Sequence, residues 1–590
     1  MRIASGVLGL VGLLSVVYGQ AFVHQKLGEN FTQIGTGILT ESGLPFWSAE
    51  ALTGNLDIFR VTGNNNFTAS LLGTNRLAYP VAYHPTAGLM WEGAGSALGA
   101  GTTDVFVETT NISAPALGSG PRIAFGFGFT SAGQPVWYGA VAGGSQDIFV
   151  GSTNLTAALL GANRDAVPAS LNSNDQLLWD GGGSSLGANR DVFRTNLSTL
   201  ATTNLSQPVL GNNRYAIAVR LNANGDAVWY GSGSANGDYN DVFFNATNVS
   251  FPVIGGGNIN NPRDATAFDV SENTLIWQGR SAATAQFYDT FATTISGGTQ
   301  NLSQPALGAG RDSLPIDVEG VSVLWEGIGG NTNNFDVFVS RPSVTRNISL
   351  QRFGGGTTPG VREGEGVAVF ANGNALWEGK HSSTGDRRHL FHYRWDTNTS
   401  TDLVQEAVNR NADAVYLAHN SAEQVLWAVK TADGSRYEVY LSTPNLPTFL
   451  QGTVAVPGFV GNPAQITLTI RQIDPYTGNV VATHTGALGA GFSYNVRVTP
   501  GLYNGLLITA PRCLARRIPG LRRLLGTTNL DFSLILGDVN GDNVINNADL
   551  LAVLFEFGQS TSSPTDLNGD GTVNNADLLI VLFSFGQQGD

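Results

Sequence analysis

The sequence predicts a mostly β protein with several domains, and three observations lead to this prediction. The chain has 590 residues, more than a single hydrophobic core usually holds. It is rich in glycine and only 13% of its residues are charged, while 42% are hydrophobic, which is typical of a loop-rich β protein rather than a disordered chain. One tryptophan-containing unit recurs through most of the chain, and two copies of an acidic loop with an apolar run close it.

The N-terminus indicates export. Residues 1–19 carry Arg2, then an apolar run and small residues, which predicts a cleaved secretory signal peptide. A membrane anchor is the weaker alternative, because the apolar run is short, and no other segment reaches the ~20 apolar residues of a membrane span. The net charge of −14 argues against nucleic acid as a partner. Cys513 is the single cysteine, so no intrachain disulfide can form and we expect a small buried thiol.

The repeat occupies residues from about 30 to 445 and has three recurring parts. Tryptophans recur every 42 to 52 residues, Asp-Val/Ile-Phe or a variant follows most of them, and an arginine precedes them. The tryptophans are Trp47, Trp91, Trp137, Trp179, Trp229, Trp277, Trp325, Trp377 and Trp427. The aspartates are Asp57, Asp104, Asp147, Asp191, Asp241, Asp289 and Asp336. The arginines are Arg76, Arg122, Arg164, Arg214, Arg263, Arg311, Arg362 and Arg410.

Each unit predicts four short strands. The Trp segment and the Asp-Val-Phe segment are separated by a Gly/Ser/Asn-rich turn, which predicts a β-hairpin. We expect the Asn-Leu-Ser segment and the Arg segment to form a second hairpin. Four short strands in ~40–50 residues make one blade of a β-propeller, with Trp and Phe between blades. The Asp and Arg are spaced to pair once per blade, either within a blade or between blades.

The predicted propeller spans residues 22–447 and has eight or nine blades, because nine Trp strands accompany eight Arg strands. A hairpin near residues 30–60 is expected to close the ring. The run "NANGDAVWYG", a turn and "DVFF" resembles the TolB-type and WD-like propeller repeats, with Trp where that family has Phe. The resemblance implies the propeller fold. It does not identify the ligand of the propeller, which could be a glycan or a protein.

Residues 449–536 predict a small β-sandwich, because short alternating strands are separated by turn signals. "TIRQ", "FSYNV" and "PGLYNGLL" resemble the carboxypeptidase-regulatory-like sandwich, which implies a spacer without catalysis. The run "PRCLARRIPGLRR" is interpreted as a solvated loop, with a docking patch for an acidic glycan as the alternative.

Residues 537–590 hold two loops whose oxygen-bearing side chains fall at positions 1, 3, 5, 9 and 12, with a backbone carbonyl at position 7. This spacing wraps a calcium ion, so two ions are predicted. The ligands of the first loop are Asp538, Asn540, Asp542, Val544, Asn546 and Asp549. Those of the second are Asp566, Asn568, Asp570, Thr572, Asn574 and Asp577. Gly571, and Asn543 in the first loop, provide the sharp turn at position 6.

No entering helix precedes either loop, so each copy is a loop and an exiting helix, which resembles the type I dockerin. The resemblance implies a secreted bacterial protein, often a polysaccharide degrader, with a cohesin-like or cell-envelope protein as docking partner. Asn547-Ala548 and Asn575-Ala576 stand where that family has Ser-Thr recognition pairs, which argues against ordinary cohesin binding. The apolar helices are expected to pack on each other.

No catalytic residue is predicted. Glu92, Asp180, Glu326 and Glu378 follow Trp in their repeats and could line one surface, yet nothing marks two of them as an acid–base pair. His389 and His392 are three residues apart, so on one strand they would face opposite sides of the sheet, which disfavours joint metal binding.

The sequence therefore predicts a secreted, non-catalytic binding or scaffold protein at the cell surface or outside the cell. The alternative is an extracellular carbohydrate-active enzyme or accessory subunit, and a purely structural surface protein stays a third reading.

Overall fold

The computed structural model describes residues 20–52, 54–61, 68–141, 143–235, 239–255, 264–280, 287–308, 312–329, 334–354, 362–560 and 563–590. The predicted signal peptide, Arg263, Arg311 and the side chain of Arg362 lie outside these residues. The structure is mostly β, as predicted, and the helices longer than two turns are at the C-terminus.

Within the described residues, nine antiparallel units follow one another along the chain, each built around one repeat tryptophan. Unit 1 consists of strands Gln33–Leu39, Pro45–Leu52 and Asn55–Arg60. Unit 2 has Leu77–His84, Gly88–Ala94, Asp104–Val107 and Thr110–Asn111; unit 3 has Arg122–Phe129, Pro135–Val141, Asp147–Val150 and Thr153–Asn154. Unit 4 has Asp165–Leu171, Gln176–Gly182, Arg190–Asn196 and Ala201–Asn204; unit 5 has Tyr215–Leu221, Ala227–Ser232, Asp241–Phe244 and Thr247–Asn248.

The later units repeat this order. Unit 6 has Asp264–Val270, Thr274–Arg280, Asp289–Thr294 and Gly298–Asn301; unit 7 has Ser313–Glu319, Ser322–Gly329, Asn334–Arg341 and Val344–Asn347. Unit 8 has Arg362–Val369, Ala375–His381, Arg388–Arg394 and Thr399–Asp402; unit 9 has Ala414–His419, Val425–Lys430 and Tyr437–Pro444. The N-terminal strand Phe22–Phe31 completes unit 9 by pairing antiparallel with Tyr437–Pro444.

The predicted hairpin of Trp and Asp-Val-Phe strands is present. In unit 3, Trp137 lies opposite Phe149 on the neighbouring strand, and their ring centroids are 4.1 Å apart and nearly parallel. The same stacking recurs in units 2 to 8 at 4.1–4.3 Å. The repeat tryptophans are at most 2% exposed, and they pack on the strands of the preceding unit, so large flat side chains fill the space between sheets.

The prediction of a second hairpin is wrong. The Asn-Leu-Ser segment does not pair with the Arg segment that follows; its short strand pairs with the Asp-Val-Phe strand of its own unit, and the Arg segment opens the next unit. A short helix lies between the Asn-Leu-Ser segment and the Arg segment, because Ser and Pro favour the start of a helical turn and Leu-Gly ends it. These helices are Ala69–Leu72, Ala114–Leu117, Ala157–Leu160, Gln207–Leu210, Phe251–Ile254, Ser303–Leu307, Ile348–Phe353 and Leu403–Val408. Short 3-10 turns are Ser184–Leu186, Ser382–Thr384, Pro463–Gln465 and Ala490–Phe492.

The Asp–Arg pairs connect neighbouring units, which settles the alternative left open by the sequence. The guanidinium of Arg122, the first residue of unit 3, donates from Nε and Nη2 to the two carboxylate oxygens of Asp104 in unit 2. Ser113 and Asn111 of the Asn-x-Ser tripeptide also donate to Asp104. The same bidentate pair forms at Asp57–Arg76, Asp147–Arg164 and Asp191–Arg214.

The carboxylates that follow tryptophan have a structural role. The first strand of most units contains a β-bulge. The residue directly before this bulge has a backbone N–H that is directed at the preceding unit. Asp180, Glu326 and Glu378 accept this N–H from Ala218, Gly366 and Tyr416, and Glu92 accepts it from Gly126. In three units the residue before the bulge is a proline, Pro80, Pro168 or Pro315, which has no N–H to satisfy. In the units that precede these three, the residue after tryptophan is not a carboxylate but Ser48, Tyr138 or Gln278, respectively.

The first and last units are neighbours. A Cβ on Gly37 of unit 1 would lie 3.0 Å from the Leu417 Cβ of unit 9, so glycine permits this close approach. Leu39, Trp47 and Phe59 of unit 1 share a hydrophobic cluster with Leu426 of unit 9.

Residues 448–533 form two sheets around a core of their own. One contains Thr448–Ala455, Ser493–Val498, Thr527–Asn529 and Phe532–Ser533; the other contains Thr467–Ile473, Val480–Ala487, Gly501–Thr509 and Arg516–Leu524. Cys513 is buried in this core, and burial raises the pKa of its thiol to about 12, so it stays protonated at neutral pH, as predicted for a passive thiol.

The sandwich is attached to unit 9 by a buried side chain. Gln25 of the N-terminal strand donates from Nε2 to the Leu502 carbonyl and accepts the Leu502 N–H at Oε1, both at 2.8 Å. This two-way bond satisfies the backbone of Leu502 inside the interface. Across the described residues, no helix has the length and apolar character needed to cross a membrane.

Candidate calcium-binding and docking site

The two C-terminal loops have the same local structure, and each leads into a helix. The helices are Asn547–Phe555 and Asn575–Phe583. Asn546 and Asn574, at position 9 of the loops, are the N-caps, and each forms a capping box with the aspartate at position 12. Such a box satisfies the free N–H groups of the first turn and fixes the direction of the helix.

Position 1 of each loop closes the turn. The Asp538 carboxylate accepts the N–H of Gly541 at 2.8 Å and of Asn543 at 3.1 Å, and Asp566 binds its own loop in the same way. Asn543 has φ 68° and Gly571 has φ 91°, so the predicted left-handed turn at position 6 is confirmed.

The side chains at positions 3, 5 and 9 converge on one place. In the first loop, Asp542 Oδ2 accepts the Asn540 amide at 3.0 Å and the Asn546 amide at 3.5 Å. The Val544 carbonyl, at position 7, lies 3.3 Å from the Asn546 amide nitrogen. The second loop repeats this arrangement around Asp570, with distances of 2.9 and 3.3 Å to the two amides and 3.1 Å from the Thr572 carbonyl to Asn574.

The aspartates at position 12 are buried charges. Asp549 and Asp577 are both 0% exposed, and the Asp549 oxygens accept only backbone N–H groups, from Val539, Asn540 and Asn546. Among the described residues, no Lys, Arg or His side chain lies within ion-pair distance of either carboxylate. A buried carboxylate without a cationic partner is costly, and a set of hard oxygen donors fits calcium. The chemistry of the donor set therefore fits the ion, while within the described residues no three Asp, Glu, His or Cys side chains are already gathered around one point.

Proximity of the carboxylates affects their ionisation. Burial, together with the nearby charges of Asp549 and Asp542, raises the pKa of Asp538, although its bonds to the loop N–H groups act in the opposite direction. Like charges gathered in one loop repel each other, and a divalent cation relieves this repulsion.

The second loop is held by the sandwich. The Asn568 carbonyl accepts the N–H groups of Val460 and Gly461, and the Arg512 guanidinium donates to the Asp566 carbonyl. The guanidinium of Arg512 also lies 5.8 Å from the Phe459 ring centroid. The interpretation of this run as a solvated loop is therefore wrong in two respects: Arg512 is held at the second loop, and Arg516–Leu524 is a strand. The side chains of Arg516 and Arg517 are exposed as expected.

The two helices pack together through one face only. Val553 and Val581 are fully buried with Ile545, Leu567 and Val573 between the loops and helices. The opposite face exposes matching apolar residues at equivalent positions in the two copies. They are Leu551, Leu554, Phe555 and Phe557, and Leu579, Leu582, Phe583 and Phe585, and both Phe555 and Phe583 are 81% exposed.

We name these eight residues the twin apolar face. This face was not predicted, because the apolar helices were expected to pack on each other. The sequence did contain an indication of it, because a nine-residue helix with apolar residues on all sides cannot bury every side against one partner helix.

His389 and His392, which the sequence does not predict to share a metal site, have different partners. His389 hydrogen-bonds Asp402 through Nδ1 at 2.8 Å, and His392 hydrogen-bonds Glu423 through Nε2 at 2.6 Å. His389 stands at the position that Asp occupies in other units, opposite Gly379, which explains its buried place in unit 8.

A family model described as the dockerin type I domain matches residues 536–582. Type I dockerin domains bind calcium. No curated protein matches the chain.

Several solved structures are similar to parts of the chain. A type II cohesin–X-dockerin complex from Acetivibrio cellulolyticus matches at 22% identity over 24% of this chain and 97% of that chain, with a TM-score of 0.20. TolB from Acinetobacter baumannii matches at 9% identity over 64% of this chain and 82% of that chain, with a TM-score of 0.22. Oligopeptidase B from Trypanosoma brucei matches at 8% identity over 61% of this chain and 54% of that chain, with a TM-score of 0.31.

The C-terminal segment thus carries a type I dockerin domain that follows a β sandwich and nine tryptophan-centred β units described by the structure.

Proposed function

We propose that this is a secreted binding protein that docks to a partner through its C-terminal domain. The observation that carries the proposal is the twin apolar face, on which Phe555 and Phe583 are each 81% exposed. Apolar patches rimmed by polar residues mark sites of protein association. The signal peptide predicted at residues 1–19 supports a role outside the cell or at its surface.

The docking domain is proposed to be folded by two calcium ions, one per loop. The first ion would be held by Asp538, Asn540, Asp542, Asn546, Asp549 and the Val544 carbonyl. The second would be held by Asp566, Asn568, Asp570, Asn574, Asp577 and the Thr572 carbonyl. Bound calcium supplies the positive charge that the buried position-12 aspartates lack. The loop carboxylates and amides hold the helices in place, so the twin apolar face exists only in the folded, ion-bound domain.

The partner is proposed to be a cohesin. A cohesin–dockerin complex is among the solved structures that the chain resembles, and the dockerin domain match covers both loops and both helices up to residue 582. The loops lack the Ser-Thr recognition pairs, so we assign recognition to the twin apolar face instead.

The remaining chain is proposed to divide into a β-propeller at residues 22–447 and a spacer sandwich at residues 449–536. Nine blades are supported by the nine described units and by the pairing of the N-terminal strand with unit 9. The propeller is proposed to present a binding face without catalysis, since Glu92, Asp180, Glu326 and Glu378 are committed to backbone N–H groups.

One observation favours the enzymatic alternative. Asp269 and Asp317, on the first strands of units 6 and 7, hydrogen-bond each other, and burial together with the Asp317 charge raises the pKa of Asp269 to about 7, although Arg220 acts against it. A buried carboxyl with a raised pKa suits a general acid, although a glycosidase needs its second carboxyl ~5–9.5 Å away rather than at hydrogen-bond distance. Polysaccharide hydrolysis by the full chain, lost in Asp269→Asn, would establish an enzyme; absence of turnover on a broad panel supports the binding role.

The docking proposal is tested with a panel of immobilised type I and type II cohesins and the full chain in millimolar calcium. We expect saturable capture, weakened about hundredfold by Phe555→Ser combined with Phe583→Ser, since buried aromatic anchors dominate interfaces. The matched control is Phe335→Ser, which changes a 50% exposed phenylalanine in unit 7 and should leave capture unchanged. Absence of capture by every cohesin, or equal capture of both variants, would refute the assignment.

A further inference from the structure

A cavity of about 1080 Å³ lies where units 7 to 9 meet the sandwich. Its walls include Arg341 and Trp395 from units 7 and 8, Glu423 from unit 9, and Arg497 and Thr499 from the sandwich. The volume slightly exceeds the ~300–1,000 Å³ of ordinary small-molecule sites, and such sites are common at domain junctions. The Gln25–Leu502 bonds hold the two walls together, so the cavity is formed without a ligand.

The cavity is locally cationic in an acidic protein. Three arginines line it, and Arg394 is neutralised by Asp396 at 2.7 Å. Within the described part of the chain, Arg341 and Arg497 have no carboxylate within ion-pair distance. Arg341 donates to the Asn372 carbonyl, and the Arg497 side chain is exposed. Two cations without a carboxylate partner at the edge of a cavity favour an anionic ligand.

The remaining carboxylate of the cavity is already satisfied. Glu423 accepts hydrogen bonds from His392 Nε2 at 2.6 Å and from the amides of Asn372 at 2.6 Å and Asn374 at 3.0 and 3.1 Å. Burial raises its pKa, but these donors outweigh burial and lower it, so Glu423 stays ionised and occupied. Glu423 therefore does not neutralise the charges of Arg341 and Arg497.

A buried polar atom in this wall is unsatisfied. His392 is 2% exposed and lines the cavity, and its Nδ1 has no hydrogen-bond partner among the described residues. An unpaired buried nitrogen is costly, and because this atom is shielded from the cavity it points to a water behind the wall rather than to a direct ligand contact.

An aromatic ring completes the wall. Trp395 is half-buried, and the guanidinium carbons of Arg346 and Arg341 lie 4.0 and 5.7 Å from its ring centroid. The arginines thus fix the ring next to the cationic part of the cavity. Sugar rings present C–H groups that pack on indole rings, while their hydroxyl and carboxylate oxygens bond to amide and guanidinium groups. A cavity with aromatic, amide and guanidinium groups together therefore suits a charged sugar better than a simple anion.

We propose that this cavity, at the junction of units 7 to 9 with the sandwich, binds an oligosaccharide that carries carboxylates, with Arg341 and Arg497 binding the carboxylate groups. The site is separate from the twin apolar face, so the proposal does not rest on docking.

The test is calorimetric titration of the full chain with hexagalacturonate, with a neutral hexasaccharide of galactose and with inorganic phosphate at equal ionic strength. We expect binding of hexagalacturonate that weakens about tenfold in Arg497→Ala, the loss of one charge-assisted contact. Arg516→Ala is the matched control, since it removes an exposed arginine of the same sandwich outside the cavity. Hydrogen exchange should slow in segments 392–396, 421–423 and 496–499 on binding.

Each outcome decides the proposal. Tighter binding of the acidic than of the neutral sugar, sensitive to Arg497→Ala alone and with protection at the cavity, supports it. Equal binding of phosphate, equal binding of the neutral sugar, protection elsewhere, or no binding would overturn it. Both arginine variants change exposed side chains, so loss of folding does not obscure the result.

Discussion

The Asp–Arg pairs between units make the sharpest prediction about stability, and the pair of units 2 and 3 is the best placed to test it. Asp104 is fully buried and accepts four hydrogen bonds from side chains: two from Arg122, at 2.5 and 2.6 Å, one from Ser113 at 2.8 Å and one from Asn111 at 2.7 Å. Arg122→Ala leaves this carboxylate charged and buried with only neutral donors.

The expected cost follows from this geometry. Removing one partner of a buried pair leaves an uncompensated charge and typically costs ~3–5 kcal/mol. The matched control is Arg387→Ala, whose pair with Asp413, at 3.1 Å, is exposed, and exposed pairs contribute only ~0–1 kcal/mol. Arg122→Lys should lie between the two, because an ammonium cannot make the bidentate contact.

The assay must resolve one junction in a chain with several domains, whose unfolding need not be two-state. Native-state hydrogen exchange of strands Asp104–Val107 and Arg122–Phe129 does this. Protection of these strands should fall by about a hundredfold or more in Arg122→Ala, while Arg387→Ala leaves them unchanged. Equal protection in the two variants would refute the view that these pairs hold the units together.

Three further predictions concern other parts of the chain. Burial raises the pKa of Glu326 from 4.5 to about 7, so its ionised form destabilises the fold above pH 7 and this cost disappears as the pH falls from about 7 to 4.5. Glu326→Gln should therefore raise the urea midpoint of unfolding at pH 8 and not at pH 4.5. An equal effect at the two pH values would contradict burial of the Glu326 charge as the cause. Gln25→Ala leaves the Leu502 backbone unpaired, so exchange of the Leu502 N–H should quicken, and unchanged exchange would contradict the proposed attachment of the sandwich. Asp577→Ala should abolish the second calcium site and speed hydrogen exchange of the Val460 N–H, which donates to the Asn568 carbonyl of that loop. Asp549→Ala, in the first loop, should leave exchange at Val460 unchanged. Equal effects of the two variants would contradict the contact between the sandwich and the second loop.

Repetition made much of the fold predictable. Because nine copies share Trp at the same place, the hairpin, its stacking partner and the spacing of the Asp–Arg pair could be deduced without a structure. Which units the pair joins could not be deduced, since residues 18 apart, such as Asp104 and Arg122, can meet within one sheet or across two. The wrong second hairpin has the same origin: Ser113 and Leu117 start and end a one-turn helix, too short to show helical periodicity.

The candidate site was predictable only in part. Oxygen ligands at fixed loop positions depend on local chain geometry, so positions such as Asp538 and Asp549 could be chosen from spacing alone. The exposure of Phe555 and Phe583 depends on how two short helices meet, which no local pattern gives. The roles of Glu92 and Glu378 were unpredictable for another reason: each depends on a bulge in the following unit. The carboxypeptidase-regulatory-like resemblance of the sandwich stays a prediction.

The central claim is that two calcium ions fold the C-terminal domain into its docking form. Calorimetric titration of the full chain, first depleted with a chelator, tests this most directly. We predict two ions per chain, affinities near the ~0.1–1 mM of extracellular modules, and slowed exchange in helices Asn547–Phe555 and Asn575–Phe583 on loading. No calcium uptake, or equal helix protection with and without the ion, would contradict the account.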